Sequence, residues 1–508
     1  MSENFNKNKI LKNTLFLYLR MLFTMWLNLY ATRLVLANLG VEDMGVYGVV
    51  GSITTMFTVF VSGITSAIQR FITFELGKKE GNTNKVFCTS LNVLFIASII
   101  LFILLEVIGV WILNNKINLP KNSTDAAFYV FQLSIFTCIV NLISIPYNAL
   151  IIAHEKMNAF AIISIIQVIL TCLSAYLLSI FNENRLLIYA SSITIISLLI
   201  RLIYQVYCHL KFSETKYRFS IDKSLISEIS KYAGVSTVSS ILQLIANQGI
   251  TFVINWTFGV AINAVYNISL QLKNSILSFS LNLLKAISPQ ITKTYASGEL
   301  EAHKKLVYTG SKMEVFLIYI IMIPFLFKTE YIMKLWLGNI PEYTVSFVQC
   351  TVFISLTYSA FEPIRTSVFA TGRITNFMII PDCFYILVLP ISYIISKIFN
   401  NPSYMIVSIV FMDIITCVLR THLASKVTII ENTEFCNNVI FPCLKVGAIS
   451  SLLCYLISQI ISDNIIGLLM LVLTNFLLLL FLIYFLGINS QEKLYINKIV
   501  KKYTTNHA

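Results

Sequence analysis

Apolar stretches of membrane-crossing length recur along the whole chain, separated by short polar segments. About 20 apolar residues are what an α-helix needs to cross the hydrocarbon core of a bilayer. The alternating segments of about ten residues that mark a membrane barrel do not occur in the pattern. The sequence therefore predicts an all-α integral membrane protein with about 14 transmembrane helices.

The predicted spans form a group of six, a second group of six and a final pair. The polar stretch from Lys211 to Lys231 separates the two groups and is the longest predicted cytosolic connection. We expect an N-terminal lobe over 1–210, an inter-lobe loop over 211–231, a C-terminal lobe over 232–421, and helices 13 and 14 with a basic cytosolic tail over 422–508. The spans are 14–37, 44–66, 87–113, 126–152, 157–180, 186–209, 232–258, 261–287, 306–327, 343–369, 375–397, 402–421, 438–461 and 464–486.

The composition leaves no room for a sizeable soluble domain. Of 508 residues, 57% are hydrophobic and 12% are charged, whereas soluble domains have about 25% charged residues. The first apolar stretch has no small-residue cleavage site, which predicts a retained helix rather than a removed signal peptide. The ten cysteines form no CxxC motif or Cys/His cluster, so we expect small core side chains and no metal site.

The distribution of lysine and arginine predicts the orientation of the chain. With a cytosolic amino terminus, the inside segments hold 21 basic residues. The outside segments hold five, which are Lys116, Lys121, Arg185, Lys328 and Lys334. The positive-inside rule then places both termini in the cytosol. The net charge of +13 is accounted for by loops that face inner-leaflet phospholipid, so no nucleic-acid partner is expected.

A repeat relates the two groups of six helices. A shift of 219 residues aligns nine identical residues within 34 positions, where two or three would match by chance. The aligned pairs include Gly40 with Gly259 and Tyr47 with Tyr266. Because this shift carries helix 1 onto helix 7 in the same orientation, it predicts parallel repeats, between which transporters place their substrate.

Several basic residues fall inside the predicted spans, where a charge normally faces a water-filled cavity or a partner. Arg20 on helix 1 and Lys273 on helix 8 lie deepest and favour a cavity role. The alternative for residues nearer the helix ends is that they extend to the lipid headgroups; these are Arg33, Arg70, Lys285, Lys397, Arg420 and Lys445. If the two lobes face each other, Arg20, Lys273 and Lys285 could converge on an anion such as a pyrophosphate, and Arg33 and Arg70 are further candidates for this substrate cavity.

Two acids in the predicted spans stand beside prolines, where carbonyls freed from helix bonding can bind a cation. Glu362 precedes Pro363, and the alternative for it is an ion pair with Arg365 one turn later. Asp382 follows Pro381 and has no basic residue within one helical turn. These two acids are candidates for coupling to sodium or protons.

Five strings make the sequence resemble the polysaccharide (O-antigen) flippases of the multidrug/oligosaccharidyl-lipid/polysaccharide (MOP) exporter superfamily, and the resemblance covers essentially the whole chain. They are RLVLANLGVEDMGVYGVVG (33–51), IQRFITFELGK (68–78), IPYNALIIAHEKMNAFA (145–161), ISPQITKTYASGE (287–299) and MKLWLGNIP (333–341).

The resemblance implies a V-shaped pair of six-helix lobes and alternating access in the bacterial inner membrane. It implies a cargo, an oligosaccharide on a polyisoprenyl pyrophosphate, with membrane lipids, a polysaccharide polymerase and chain-length machinery as partners. Related lipid II flippases bind pyrophosphate through helices 1, 2 and 8, and sodium through helices 7, 11 and 12. This implies pyrophosphate roles for Arg20, Arg70 and Lys273, and sodium roles for Asp382 and Asn376.

Two other functions compete with a flippase. A drug or cation exporter of the same superfamily would favour an acid-lined cavity, whereas the deep charges here are largely basic. A membrane glycosyltransferase, polymerase or ligase would need a large outer loop with catalytic groups. The longest predicted outer connections, near 114–125 and 328–342, are too short for a catalytic module, so we expect no enzyme activity.

Overall fold

The computed structural model describes residues 7–78, 80–115, 124–181, 184–218, 222–489 and 492–493, and these are helical almost throughout, with no strand among them. Eleven helices in this part of the chain are long and apolar enough to cross a membrane. They coincide with eleven predicted spans, and the long helices Lys7–Gly77 and Val260–Ala296 cover the other three. The predicted all-helical membrane fold is confirmed.

The described residues divide into two compact units. The first takes its residues from Met1–Ile241 and Lys285–Gly298, and the second from Leu242–Leu284 and Glu299–Ala508. In the first unit, helix α1 packs against α3 and α4, and α3 packs against α5. These helices are α1 (Lys7–Gly77), α2 (Thr83–Leu113), α3 (Thr124–Ala153), α4 (Met157–Leu177) and α5 (Arg185–Lys211).

Two helices contribute residues to both units, α6 (Lys223–Phe258) and α7 (Val260–Ala296). A buried cluster in the second unit includes Ile254, Phe347 and Ile409. The remaining helices of this unit follow α7 along the chain. They are α8 (Leu300–Phe327), the short α9 (Thr329–Leu337), α10 (Thr344–Thr371), α11 (Thr375–Phe399), α12 (Pro402–Ser425), α13 (Asn432–Ile460) and α14 (Ile465–Gly487).

Apolar side chains that the fold leaves exposed show which helix faces meet lipid. On α14, Leu469, Leu473 and Leu477 are 57–63% exposed, whereas Leu471 and Leu479 on the opposite face are fully buried. A continuous row of exposed leucines along a helix would be unfavourable in water. The exposed leucines therefore identify a lipid-facing stripe.

Two glycines of the sequence repeat break the helices at equivalent places. Gly40 has φ 78° and ψ 176° within α1, and helix continues on both sides of this kink. Gly259 has φ 83° and separates α6 from α7. Residues with a side chain rarely adopt a positive φ, so the backbone requires glycine at both positions. The shared break supports the repeat that the sequence predicts.

Helix α11 is interrupted at Ile386–Leu387, between the segments Thr375–Tyr385 and Val388–Phe399. A proline ring clashes with the carbonyl four residues earlier, and for Pro390 that carbonyl belongs to Ile386. Pro390 thus accounts for the position of the break. Asp382 lies one turn before it.

The segment between α5 and α6 is bound to the first unit by polar contacts. The Asn84 amide donates to the carbonyls of Glu214 and Lys216 at 2.6 and 2.7 Å. Asp222 caps α6 by accepting from the backbone N–H groups at its start, and it forms an ion pair with Lys85. These contacts, led by the Lys85 hydrogen bond, hold the pKa of Asp222 below its usual range.

Candidate functional site

Two cations of the first unit share one aromatic ring. The Arg20 guanidinium carbon lies 4.9 Å from the centroid of the Phe160 ring, and the Lys285 ammonium nitrogen lies 6.0 Å from it. Arg20 also donates to the hydroxyl of Ser164, one turn after Phe160, at 3.5 Å. The structure therefore brings together Arg20 and Lys285, which are 265 positions apart in the sequence.

A tight turn between α3 and α4 fixes this ring. Glu155 in the turn has φ 58° and is buried, and it forms an ion pair with Lys293 at 3.0 Å and accepts from Gln290 at 3.2 Å. Both partners belong to the last turns of α7, shortly after Lys285. Because the turn is tied to α7, Phe160 at the start of α4 and Lys285 on α7 are held on one framework.

The electrostatics of the pair favour an anionic ligand. Arg20 and Lys285 are close enough for their like charges to interact, and no acid forms an ion pair with Lys285 in the described part of the chain. The Tyr204 hydroxyl lies near the Arg20 charge and near Ser164. Two neighbouring cations over a ring repel each other, so an anion bound between them would stabilise both.

The other basic residues predicted for the N-terminal lobe have different surroundings. The Arg70 guanidinium stacks on Phe71 and Phe74, 4.6 and 4.5 Å from their ring centroids, and its charge also interacts with Glu228. Arg33 is exposed on α1. Neither arginine shares the Phe160 ring with Arg20.

Lys273 belongs to the second unit, where its charge interacts with Asp413 on α12. The Asp413 carboxylate also accepts the Thr357 hydroxyl of α10 at 2.5 Å. The Lys273 charge therefore interacts with an acid of its own unit, whereas the Lys285 charge interacts with Arg20.

Asp382 meets residues from two other helices of the second unit. The Arg420 guanidinium of α12 lies 2.5 Å from a carboxylate oxygen of Asp382, and the Gln243 amide of α6 lies 3.4 Å from both oxygens. The expectation that Arg420 extends to the headgroups from a helix end is wrong, because it pairs with an acid that is 2% exposed. Residues from predicted helices 7, 11 and 12 do meet here.

The arrangement does not fit a sodium ion at Asp382. Sodium binding would need carboxylate oxygens whose charge is not already balanced, whereas the Arg420 guanidinium neutralises Asp382 directly. Asn376, the other expected ligand, has an exposed side chain. The described residues contain no group of three His, Cys, Asp or Glu side chains that could hold a metal.

The predicted pair of Glu362 and Arg365 is present. The two side chains are 2.8 Å apart, and the Tyr358 hydroxyl accepts from the same guanidinium at 3.1 Å. Arg365 and Arg420 both line a small cavity of the second unit, together with Glu362 and Cys417. Acids and arginines are therefore matched within this part of the unit.

The sequence did not reveal the residues that complete the Arg20–Lys285 site and the Asp382–Arg420 pair. Phe160 lies in one of the family-like strings, but its apolar type gave no sign that two cations share it. Arg420 is 38 residues from Asp382, so no helical spacing could reveal their pair. Their charges could have been matched only by assuming that α11 and α12 lie side by side.

The sequence matches a family model described as "Polysaccharide biosynthesis protein" over residues 10–295. No curated protein matches the chain.

Solved structures show the same fold at low sequence identity. A structure of MATE in the straight conformation has a TM-score of 0.71 at 13% identity. An outward-facing multidrug resistance MATE family transporter of the MOP superfamily has a TM-score of 0.66 at 14% identity. A MOP superfamily transporter from Pyrococcus furiosus has a TM-score of 0.68 at 13% identity, and its binding pocket is described as having reverse polarity. Each comparison covers 83% of this chain and 95% of the other.

Proposed function

Because this chain belongs to the family of polysaccharide biosynthesis proteins, we propose that it flips a lipid-linked oligosaccharide across the bacterial inner membrane. The cargo is the repeat unit of an O-antigen, capsule or exopolysaccharide on a polyisoprenyl pyrophosphate. The protein moves it from the cytosolic to the periplasmic leaflet by alternating access, as a transporter and not as an enzyme. The polymerase and chain-length machinery that extend the polysaccharide would act on the delivered cargo.

The observation that carries the proposal is the pair of cations over Phe160. Arg20 and Lys285 place two positive charges at one ring, with the hydroxyls of Ser164 and Tyr204 beside them. A pyrophosphate offers several charged oxygens, which accept the forked donors of an arginine and the point charge of a lysine. The negative face of the aromatic ring attracts both cations and so holds them at one place.

Binding by purified protein in detergent tests the proposal. The probes are a polyisoprenyl pyrophosphate and the uncharged polyisoprenol of the same chain length. Each charge-assisted hydrogen bond contributes about 1.5–3 kcal/mol, so Arg20→Ala and Lys285→Ala should each weaken pyrophosphate binding by about 10- to 100-fold. Arg20→Lys should be partly defective, because lysine cannot reproduce a bidentate contact.

A matched control is Lys397→Ala, which removes an exposed lysine from the end of α11, 5.8 Å from the Tyr393 ring. It should leave binding unchanged. Polyisoprenol binding should be insensitive to all three alanine substitutions. If wild type, Arg20→Ala and Lys285→Ala bind pyrophosphate with equal affinity, then Arg20 and Lys285 are not part of the substrate site. In cells, deletion of the protein should cause the lipid-linked oligosaccharide to accumulate on the cytosolic leaflet.

The fold also suits a drug or cation exporter, since the similar solved structures include multidrug MATE transporters. The acids of the second unit favour this alternative, but the ion pairs of Glu362 and Asp382 and the Lys273 charge near Asp413 leave these acids less able to bind a cationic drug. An ethidium-efflux assay distinguishes the two functions. Efflux that survives Arg20→Ala, together with unaltered polysaccharide in a deletion strain, would favour the exporter.

A further inference from the structure

Glu314 lies midway along α8 and is completely buried in the second unit. One carboxyl oxygen, Oε2, accepts the Ser280 hydroxyl of α7 at 2.6 Å. The other oxygen, Oε1, is buried and has no hydrogen-bond partner among the described residues. A buried carboxyl with one neutral partner and one unused oxygen has the surroundings of an uncharged acid.

The charges on α7 and α10, the helices beside Glu314, do not neutralise it. The charge of Glu362 on α10 acts on Glu314, but it is a second acid and is already paired with Arg365. On α7, the charge of Lys273 interacts with Asp413. The other two lysines of α7 belong to the first unit, where Lys285 faces the Phe160 ring and Lys293 forms an ion pair with Glu155.

The remaining elements around α8 offer no counter-charge either. On α8 itself, Lys312 forms an ion pair with Glu492 at 2.6 Å. On α13, Glu434 forms an ion pair with Lys304, and Lys445 is exposed. Helix α14 contains no charged residue. Among the described residues, no basic side chain forms an ion pair with Glu314.

Two other intramembrane acids of this unit differ from Glu314 because each has a basic partner. Glu362 and Asp382 each contact an arginine. An ionised carboxylate at Glu314 would have neither water nor a counter-charge, so burial favours the protonated form. The hydroxyls of Ser311 and Ser359, one turn before Glu314 and Glu362, are also buried and have no hydrogen-bond partner among the described residues.

We propose that Glu314 is a proton-binding site, occupied in this conformation, and that the proton passes to water when α7 and α8 separate enough to hydrate the carboxyl. Release leaves an ionised carboxylate in water, and reburial requires that a proton be taken up again. Proton binding would therefore favour the conformation in which Ser280 covers Glu314. The coupling of this step to cargo movement rests on the proposed flippase function, whereas the proton site itself does not.

Infrared spectroscopy of the purified full-length protein at neutral pH tests the proton site directly. A protonated carboxyl gives a C=O stretching band that an ionised carboxylate lacks. We expect a band that is lost in Glu314→Gln and retained in Glu106→Gln, which changes an acid of α2 that accepts from Gln132 at 3.2 Å. Ser280→Ala should shift the band to higher frequency without removing it, because the carbonyl oxygen loses its hydrogen bond.

The absence of any Glu314-dependent band at neutral pH would overturn the proposal. So would loss of the band on adding sodium at constant pH, which would identify a metal-cation site instead. Ser280→Ala keeps the test informative if Glu314→Gln does not fold, since only a protonated Glu314 can give a shifted band.

Transport by protein reconstituted in vesicles tests the coupling. A pH gradient should accelerate flipping of a fluorescent polyisoprenyl-pyrophosphate oligosaccharide by wild type, and Glu314→Gln should abolish that acceleration while equilibrium exchange continues. A Glu314→Gln variant that still responds to the gradient would overturn the coupling role. If wild type does not flip the probe but shows the infrared band, the flippase function fails and the proton site stands.

Discussion

Individual charged residues of the membrane-spanning helices fall into two classes. In the second unit, basic side chains are matched to acids, as Arg365 is to Glu362 and Arg420 is to Asp382. In the first unit, Arg20 and Lys285 share a ring and repel each other. In a matched pair each charge is already balanced by its partner. Two neighbouring cations repel each other and therefore favour binding of an anion. The two classes therefore suggest different roles, structural for the matched pairs and ligand-binding for Arg20 and Lys285.

The Asp382–Arg420 pair should show strong energetic coupling. Removing one partner of a buried pair leaves an uncompensated charge, so Asp382→Asn and Arg420→Gln should each destabilise the protein by about 3 kcal/mol. The double variant should cost less than the sum of the single changes, because neither charge remains. Unfolding of the detergent-solubilised protein by heat or denaturant measures these differences.

The exposed Arg33 supplies the control, since Arg33→Gln should leave the stability unchanged. Strictly additive effects of the two single changes would show that Asp382 and Arg420 act independently. That result would again make Asp382 a candidate ligand for a metal cation.

In both halves of the sequence repeat, a glycine with a positive φ separates two consecutive helical segments. Gly40 and Gly259 both have a positive φ, and no neighbouring atom lies within 4 Å of a side chain built at either glycine. Steric crowding therefore does not require glycine at these positions, but the backbone conformation does. The repeat is thus preserved in a backbone feature as well as in residue identities.

Gly40→Ala should destabilise the protein by about 1–3 kcal/mol, since φ 78° and ψ 176° lie in a region that essentially only glycine occupies. Gly51→Ala is the matched control, because Gly51 lies in the same helix with open space around it and no positive φ. It should be neutral or stabilising by up to about 1 kcal/mol. Thermal unfolding of both variants checks this, and equal melting temperatures would contradict the assigned backbone strain.

For the protein as a whole, the positive-inside count of 21 against five predicts which loops face the cytosol. Single cysteines at Glu299 and Glu342, both exposed positions in connections between helices, test the orientation in a cysteine-free background. An impermeant thiol reagent added to intact cells should label the residue-342 probe and should reach the residue-299 probe only after permeabilisation. The opposite labelling pattern would contradict the predicted orientation of the chain.

The helices and their number could be predicted from local sequence. Each span has to be apolar over a length fixed by the bilayer, so a local pattern is sufficient, and the predicted span 186–209 coincides closely with Arg185–Lys211. The pairing of Glu362 with Arg365 was also predictable, since both lie one turn apart on the same helix.

The meeting of distant charges depends instead on how the helices pack. Arg20 and Lys285 share Phe160 because a buried turn at Glu155 ties α4 to α7, and Asp382 reaches Arg420 because α11 and α12 pack side by side. Glu314 and Ser280 likewise meet across two helices. Hydropathy determines that a residue lies in the membrane, but its partner depends on the rotation and packing of whole helices, which no local sequence pattern contains.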